Sequence, residues 1–250
     1  MDAIRELVER GLNVNTKTKM RANPLHHLFA KHFDSSTKVM NLVHLLLNNG
    51  IDVHSTTNWG NDPLYVLCKK SDAEDLVEAI QMLVVDLKVV INRRNHRWEN
   101  ALHRLLQNSH LSANTILKAS RFFIDQGVDV NAKNIDGKNA LLQFLSFQRK
   151  DLLQQGMVQL LIQAGNKLDA QDKDGYTALH LVCKYTDGDM VYDLVRLLIE
   201  AGADVSSVTM KGETAISLLF ARKKSLLTSL SEDVVQLLVN SFKSTAPSSV

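Results

Sequence analysis

Between Val191 and Glu200 the apolar residues fall at Val191, Leu194, Val195, Leu198 and Ile199, with Asp193, Arg196 and Glu200 between them. This is the i, i+3, i+4, i+7, i+8 spacing of a helix with one apolar face. The same face recurs at Val43, Leu46 and Leu47. Ahead of the later helix lies a shorter, nearly continuous apolar run, Leu179-His180-Leu181-Val182-Cys183. A helix that is apolar on all sides is one sandwiched between neighbours. The pattern therefore predicts helix pairs, a short buried helix followed by an amphipathic one.

The pair repeats. Asn23-Pro24-Leu25-His26, Asp62-Pro63-Leu64-Tyr65, Asn100-Ala101-Leu102-His103, Asn139-Ala140-Leu141-Leu142, Thr177-Ala178-Leu179-His180 and Thr214-Ala215-Ile216-Ser217 start 39, 38, 39, 38 and 37 residues apart. A near-constant period of this size is the mark of stacked repeats. Gly11, Gly50, Gly127, Gly165 and Gly202 keep step with these starts and follow the amphipathic helix. Gly60, Gly137, Gly175 and Gly212 follow ten residues later. The third copy departs from both series: Lys88-Val89-Val90-Ile91-Asn92 lacks the first glycine, and Trp98 stands where the second is expected.

Each position has a physical reason. Asn, Asp and Thr at the start of a helix accept from its free amides, and Pro24 and Pro63 suit the first helical position, where no N–H is needed. The first glycine series suits a left-handed helix exit, the second a turn tip with positive φ. Turn, T-P-L-H-type cap, short helix, second helix and G-A-D-V-N exit together resemble the ankyrin repeat over residues 1–242. The resemblance implies an all-α repeat solenoid of helix–loop–helix units joined by β-hairpin-like turns. A half unit at 1–15 precedes units at about 16–54, 55–92, 93–131, 132–169, 170–206 and 207–242, and a disordered tail is expected at 243–250. The family's usual period is about 33. Twelve residues separate the exit glycine from the next cap at each glycine-bearing junction, so the extra length falls between cap and glycine. Loop candidates are 34–37, 71–74, 108–110 and 186–189. At the N-terminus Ile4, Leu7 and Val8 form an apolar face with no preceding helix. Either the chain is part of a longer array, or this charged helix is itself the cap.

Composition narrows the function. A net charge of +2 and 22% charged residues do not by themselves call for nucleic acid or membrane. No apolar run approaches the roughly 18–20 residues of a spanning helix. The start MDAIRELVERG lacks a basic start and apolar core, so no secretory leader is expected. Two cysteines in 250 residues suit a reducing compartment, hence a cytoplasmic location, with the nucleus as the alternative. Cys68 and Cys183 share one slot three units apart, too far for a disulfide, and read as core residues. His26, His103 and His180 share another slot at alternate units, about 20 Å apart for helices packed at roughly 8–10 Å. They cannot share a metal, and the resemblance implies that they hydrogen-bond between adjacent turns. No phosphate loop, H-E-x-x-H or C-x-x-C occurs. These readings call for no cofactor, no metal and no catalysis.

What remains is surface. The first tip carries Lys17, Lys19 and Arg21, and the third carries Arg93, Arg94 and Arg97, with Glu99 beside them; the Ala170–Gly175 tip is net negative. Both tryptophans, Trp59 and Trp98, sit on tips, and Trp beside Arg is the usual composition of a protein-binding hot spot. First-helix positions such as His27, Arg104 and Gln143 vary from unit to unit. The reading is a monomeric, non-catalytic scaffold that binds another protein, with an acidic segment over Lys17, Lys19, Arg21, Arg93, Arg94 and Arg97, with Trp59 and Trp98 as anchors and with Arg104 as a further contact. The alternative is the recognition segment of a larger signalling enzyme or ubiquitin-ligase adaptor. Nucleic acid is disfavoured because no aromatic stacking platform is evident, and no membrane is called for.

Overall fold

The computed structural model describes residues 6, 10–31, 37–70, 76–147, 154–186, 190–221 and 229–245. Three of the four loop candidates fall wholly or largely outside these residues, as do Ile4, Leu7 and Val8 and residues 246–250. The chain divides into two compact units, Met1–Asp129 and Val130–Val250.

Unit 1 contains α1 (Pro24–Lys31), α2 (Thr37–Asn48), α3 (Pro63–Lys70), α4 (Leu76–Gln81), which runs into a π turn at Met82–Asp86, α5 (Ala101–Leu106) and α6 (Ala113–Asp125). First helices pack on first helices, α1 on α3 and α3 on α5, while α4 packs on α6. Unit 2 contains α7 (Ala140–Ser146), α8 (Gln154–Gln163), α9 (Ala178–Tyr185), α10 (Met190–Glu200), α11 (Ala215–Ala221) and α12 (Ser229–Thr245). There α7, α9 and α11 stack in order, as do α8, α10 and α12. The last helix runs through Thr245, so Lys243, Ser244 and Thr245, which the composition placed in the tail, are helical.

The elements form for the reasons the pattern implies. Asp62 accepts from the Tyr65 amide at 2.8 Å, Asn100 from His103 at 3.0 Å, Asn139 from Leu142 at 3.0 Å and Thr214 from Ser217 at 3.2 Å. The signature leucines Leu25, Leu64, Leu102, Leu141 and Leu179 are at most 1% exposed. All of Ala178–Cys183 is buried, as expected of a helix flanked on both sides. Burying one such leucine contributes about 1.5–3 kcal/mol.

The helix exits show how the third copy departs. At Gly50, Gly127, Gly165 and Gly202 the glycine amide and the next amide bond back to carbonyls three and five residues earlier, closing a left-handed exit. In the third copy the π turn adds one residue to the last turn, and the Val89 amide reaches the Leu83 carbonyl at 3.0 Å. Lys88 stands in the glycine slot and adopts φ +53°. The helix exit is thus conserved in shape where it is lost in sequence.

Candidate partner-binding site

The tips are built on one recurring residue. Thr18, Thr57, Asn95, Asn134, Asp172 and Thr209 each donate a backbone amide to the carbonyl four residues on and accept from the amide three residues on. Side chains at this slot lock the turn: Asn95 Oδ1 accepts from the amides of Arg97 (2.9 Å) and Glu99 (3.0 Å), and Asp172 Oδ1 from those of Asp174 (3.0 Å) and Tyr176 (2.9 Å). Within each unit the tips are also tied edge to edge. The Asn58 amide reaches Met20 O and the His96 amide reaches Trp59 O, both at 2.9 Å; in unit 2 Lys173 reaches Asp136 O and Met210 reaches Asp174 O at the same distance. The expected hairpin-like turns are therefore two-bond hairpins, with no strand among the described residues.

Within unit 1 this ladder sets the tips of the first three repeats side by side. Trp59 and Trp98 are 62% and 61% exposed. Trp98 takes φ +61° in the slot that is glycine at Gly60, and Arg21 takes φ +59° in the same slot one repeat earlier. A left-handed non-glycine residue costs roughly 1–2 kcal/mol. Arg94 holds Trp98 in place, with its Nε 3.0 Å from Trp98 O and its guanidinium 5.3 Å from the indole centroid.

The remaining cations divide between surface and frame. Lys17, Lys19 and Arg21 are exposed. Arg93 turns toward Asp62, the cap of α3, at 3.7 Å, and Arg97 lies 3.9 Å from Glu99. Arg104 donates to Gln107 Oε1 at 2.5 Å. Beneath the third tip, Glu99 is buried and collects hydrogen bonds from Tyr65 Oη (2.5 Å), Gln107 Nε2 (2.9 Å) and Asn95 Nδ2 (3.3 Å). Burial pushes its carboxyl up, but these donors and the Arg97 charge outweigh burial and hold it below the usual range. Burial likewise drives the Tyr65 hydroxyl well above its usual value, with the Glu99 bond adding to the rise. The sequence marked Glu99 only as a neighbour of the arginines. Asn95 and Gln107 lie 4 residues before and 8 after it, but Tyr65 lies 34 before, so stacking completes the network.

His26 and His180 bond between adjacent turns, as the resemblance implied. His26 Nε2 lies 3.0 Å from Asn61 O of the next tip, and His180 Nε2 lies 3.1 Å from Glu213 O. His103 closes a capping box with Asn100. Burial lowers both His26 and His180 from the ordinary value. Cys68 and Cys183 are buried free thiols, and burial pushes the Cys68 thiol far up.

Unit 2 has a different arrangement at the matching place. Lys184 Nζ donates to Tyr176 Oη at 2.6 Å and lies 4.2 and 5.2 Å from the Tyr176 and Tyr185 ring centroids. Burial works against its charge, but hydrogen bonding to the two tyrosines prevails and holds the ammonium above its ordinary value. A cavity of about 360 Å³ opens here, lined by Lys184, Tyr176, Tyr185, Leu181, Met210 and Lys211 among others. None of the sequence-predicted contact residues lies in it.

A family model described as "Ankyrin repeats (3 copies)" matches residues 112–209 and 152–246, together more than half of the chain. The intracellular phospholipase A2 of Caenorhabditis elegans is 28% identical over 159 residues, which cover 63% of this chain and 14% of that protein. The B-cell lymphoma 3 protein homolog of Mus musculus is 25% identical over 214 residues, covering 84% of this chain and 42% of the relative. The chain thus spans less than half the length of these curated relatives. The solved ankyrin repeat domain of human ASB11 superposes with a TM-score of 0.67 at 18% identity, covering 94% of this chain and 91% of that one, a likeness of fold.

Proposed function

The chain belongs to the ankyrin repeat family, and on that premise we propose that it is a non-catalytic protein–protein interaction scaffold whose partner lies over the tips of unit 1. Trp98 carries this reading. It stays exposed in a backbone conformation that favours glycine, and Arg94 is stacked against it. Trp59 is the second apolar anchor, one repeat away. Lys17, Lys19, Arg21, Arg94 and Arg97 supply the positive rim that an acidic partner segment would meet, while Arg93 and Arg104 shape the frame behind them. The scaffold is a monomer that works in the cytoplasm, with the nucleus as the alternative; it contacts neither membrane nor nucleic acid. Two buried free thiols suit a reducing compartment.

The test is an affinity pull-down read by mass spectrometry, wild type against an Arg94→Gln/Arg97→Gln/Trp98→Ala variant. A specific partner should be lost from the variant, and its capture by the wild type should weaken with salt. A partner captured equally by both would remove this face from consideration.

A second reading, the recognition segment of a larger signalling enzyme or ubiquitin-ligase adaptor, draws on one observation. A relative named as an enzyme matches over only 14% of its length. Sequencing the native transcript on both sides of the coding region decides between the two readings: an extended open frame favours the second, and stop codons at both boundaries count against it.

A further inference from the structure

The cavity of unit 2 shares no residue with the surface just described and has its own chemistry. Lys184 is held over it by two aromatic rings and a hydroxyl, and Lys211 stands exposed at the same cavity. Among the described residues neither lysine has a carboxylate within 4.0 Å. The nearby acids are largely committed elsewhere. Asp172 is buried, with Oδ1 bonded to two backbone amides, and Asp136 pairs with Lys173 at 3.0 Å. Among the described residues Asp174 is the exposed negative group that lines the cavity, and Glu213 is engaged by Tyr176 Oη at 3.4 Å. The apolar wall is just as open: Met210 is 77% exposed, and Tyr185 presents its ring beside Lys184. A positioned ammonium next to exposed thioether and aromatic surface fits an anion that carries a hydrophobic neighbour.

We propose that this cavity is a second docking pocket, which takes the Asp or Glu carboxylate of a peptide on Lys184 and Lys211, with the adjoining hydrophobic side chain against Tyr185 and Met210. The bond from Lys184 to Tyr176 Oη fixes where the ammonium points, so the site is formed before the peptide arrives. Tyr176 is itself tied to Glu213 Oε2 at 3.4 Å, which anchors the tyrosine to the following repeat.

The proposal is tested on the full chain, ¹⁵N-labelled at low salt, by titration with the blocked peptide acetyl-Gly-Glu-Leu-Gly-amide and its Gln counterpart. The Glu peptide should produce saturable shifts at Lys184, Tyr185, Met210 and Lys211. The Gln peptide, and the Lys184→Gln/Lys211→Gln variant with the Glu peptide, should each bind about 10-fold more weakly, as expected for loss of a charged hydrogen bond. Lys211→Gln alone changes an exposed side chain, so it reports even if the double variant folds poorly, and it too should bind more weakly. The Arg94→Gln/Arg97→Gln variant should bind the peptide as the wild type does, which separates this site from the unit 1 surface. Equal affinity for the two peptides, shifts confined to unit 1, or no saturable shift would each overturn the proposal.

Discussion

The two units share one repeat but treat its glycine slots differently. Among the described residues, every non-glycine residue with positive φ (Arg21, Lys88 and Trp98) lies in unit 1. Unit 2 keeps glycine at the equivalent positions Gly137, Gly165, Gly175, Gly202 and Gly212. Space is part of the reason. A Cβ on Gly175 would lie 2.6 Å from the Met210 backbone nitrogen, and one on Gly137 would lie 3.0 Å from that of Lys173. A side chain at Gly175 would force the facing backbone to shift, and one at Gly137 would need it to give by a few tenths of an ångström. Unit 1 is not uniformly roomier, since a Cβ on Gly60 would meet His96 at 2.9 Å. Its exceptions are confined to particular copies, and at the tips they are a cation and a tryptophan. Where a repeat gives up its easiest backbone residue for an exposed side chain, that side chain is the place to look for binding.

The comparison can be broken most forcefully in the core, where the units should not differ. Phe123→Ala in α6 and Leu198→Ala in α10 both empty fully buried sites and should cost about 3–5 and about 2–5 kcal/mol respectively. Denaturant melts check this; a loss under about 1 kcal/mol at either site would mean that its unit is loosely packed.

The glycine slot should respond with opposite sign in the two units. Gly175→Ala combines left-handed strain with a backbone overlap and should cost about 2–3 kcal/mol. Trp98→Gly relieves strain and should stabilise unit 1 by up to about 1 kcal/mol while weakening partner binding. A destabilised Trp98→Gly protein would make the indole structural and remove the main support for the proposed anchor.

Acid should act on the units alike. His26 in unit 1 and His180 in unit 2 have folded-state values depressed below 6.5 by burial. Their unfolded forms therefore take up protons first, and the stability they contribute is full above pH 6.5 and declines as pH falls toward the folded-state values. Melts from pH 7.5 to 5 should show this decline, and His180→Asn should flatten the share arising in unit 2. The smallest effect is expected at the surface. Arg94→Gln/Arg97→Gln should change stability by no more than about 0.5 kcal/mol, and a larger loss would show that the basic tip holds the fold.

The cap residues, the exit glycines and the alternation of short apolar with amphipathic helices were all legible, because each repeats an independent local rule. The same regularity hid other features. Lys88 and Arg21 carry no local sign that they adopt a glycine conformation; only the register of neighbouring copies forces it on them. Arg93 looked like a surface cation, yet it turns to the α3 cap because Asp62 lies within reach. The Tyr65–Glu99–Gln107 cluster and the Lys184 pocket assemble side chains from different repeats, so no window along the chain contains them.

By itself, then, the sequence determined the helix pairs, their period, and the exposed arginines and tryptophans of the tips, since capping, amphipathicity and turn geometry operate within a few residues. The tertiary structure alone decided which charges are met and which are left open, because ion pairs and cavities depend on groups that stacking brings together from 30 or more residues away.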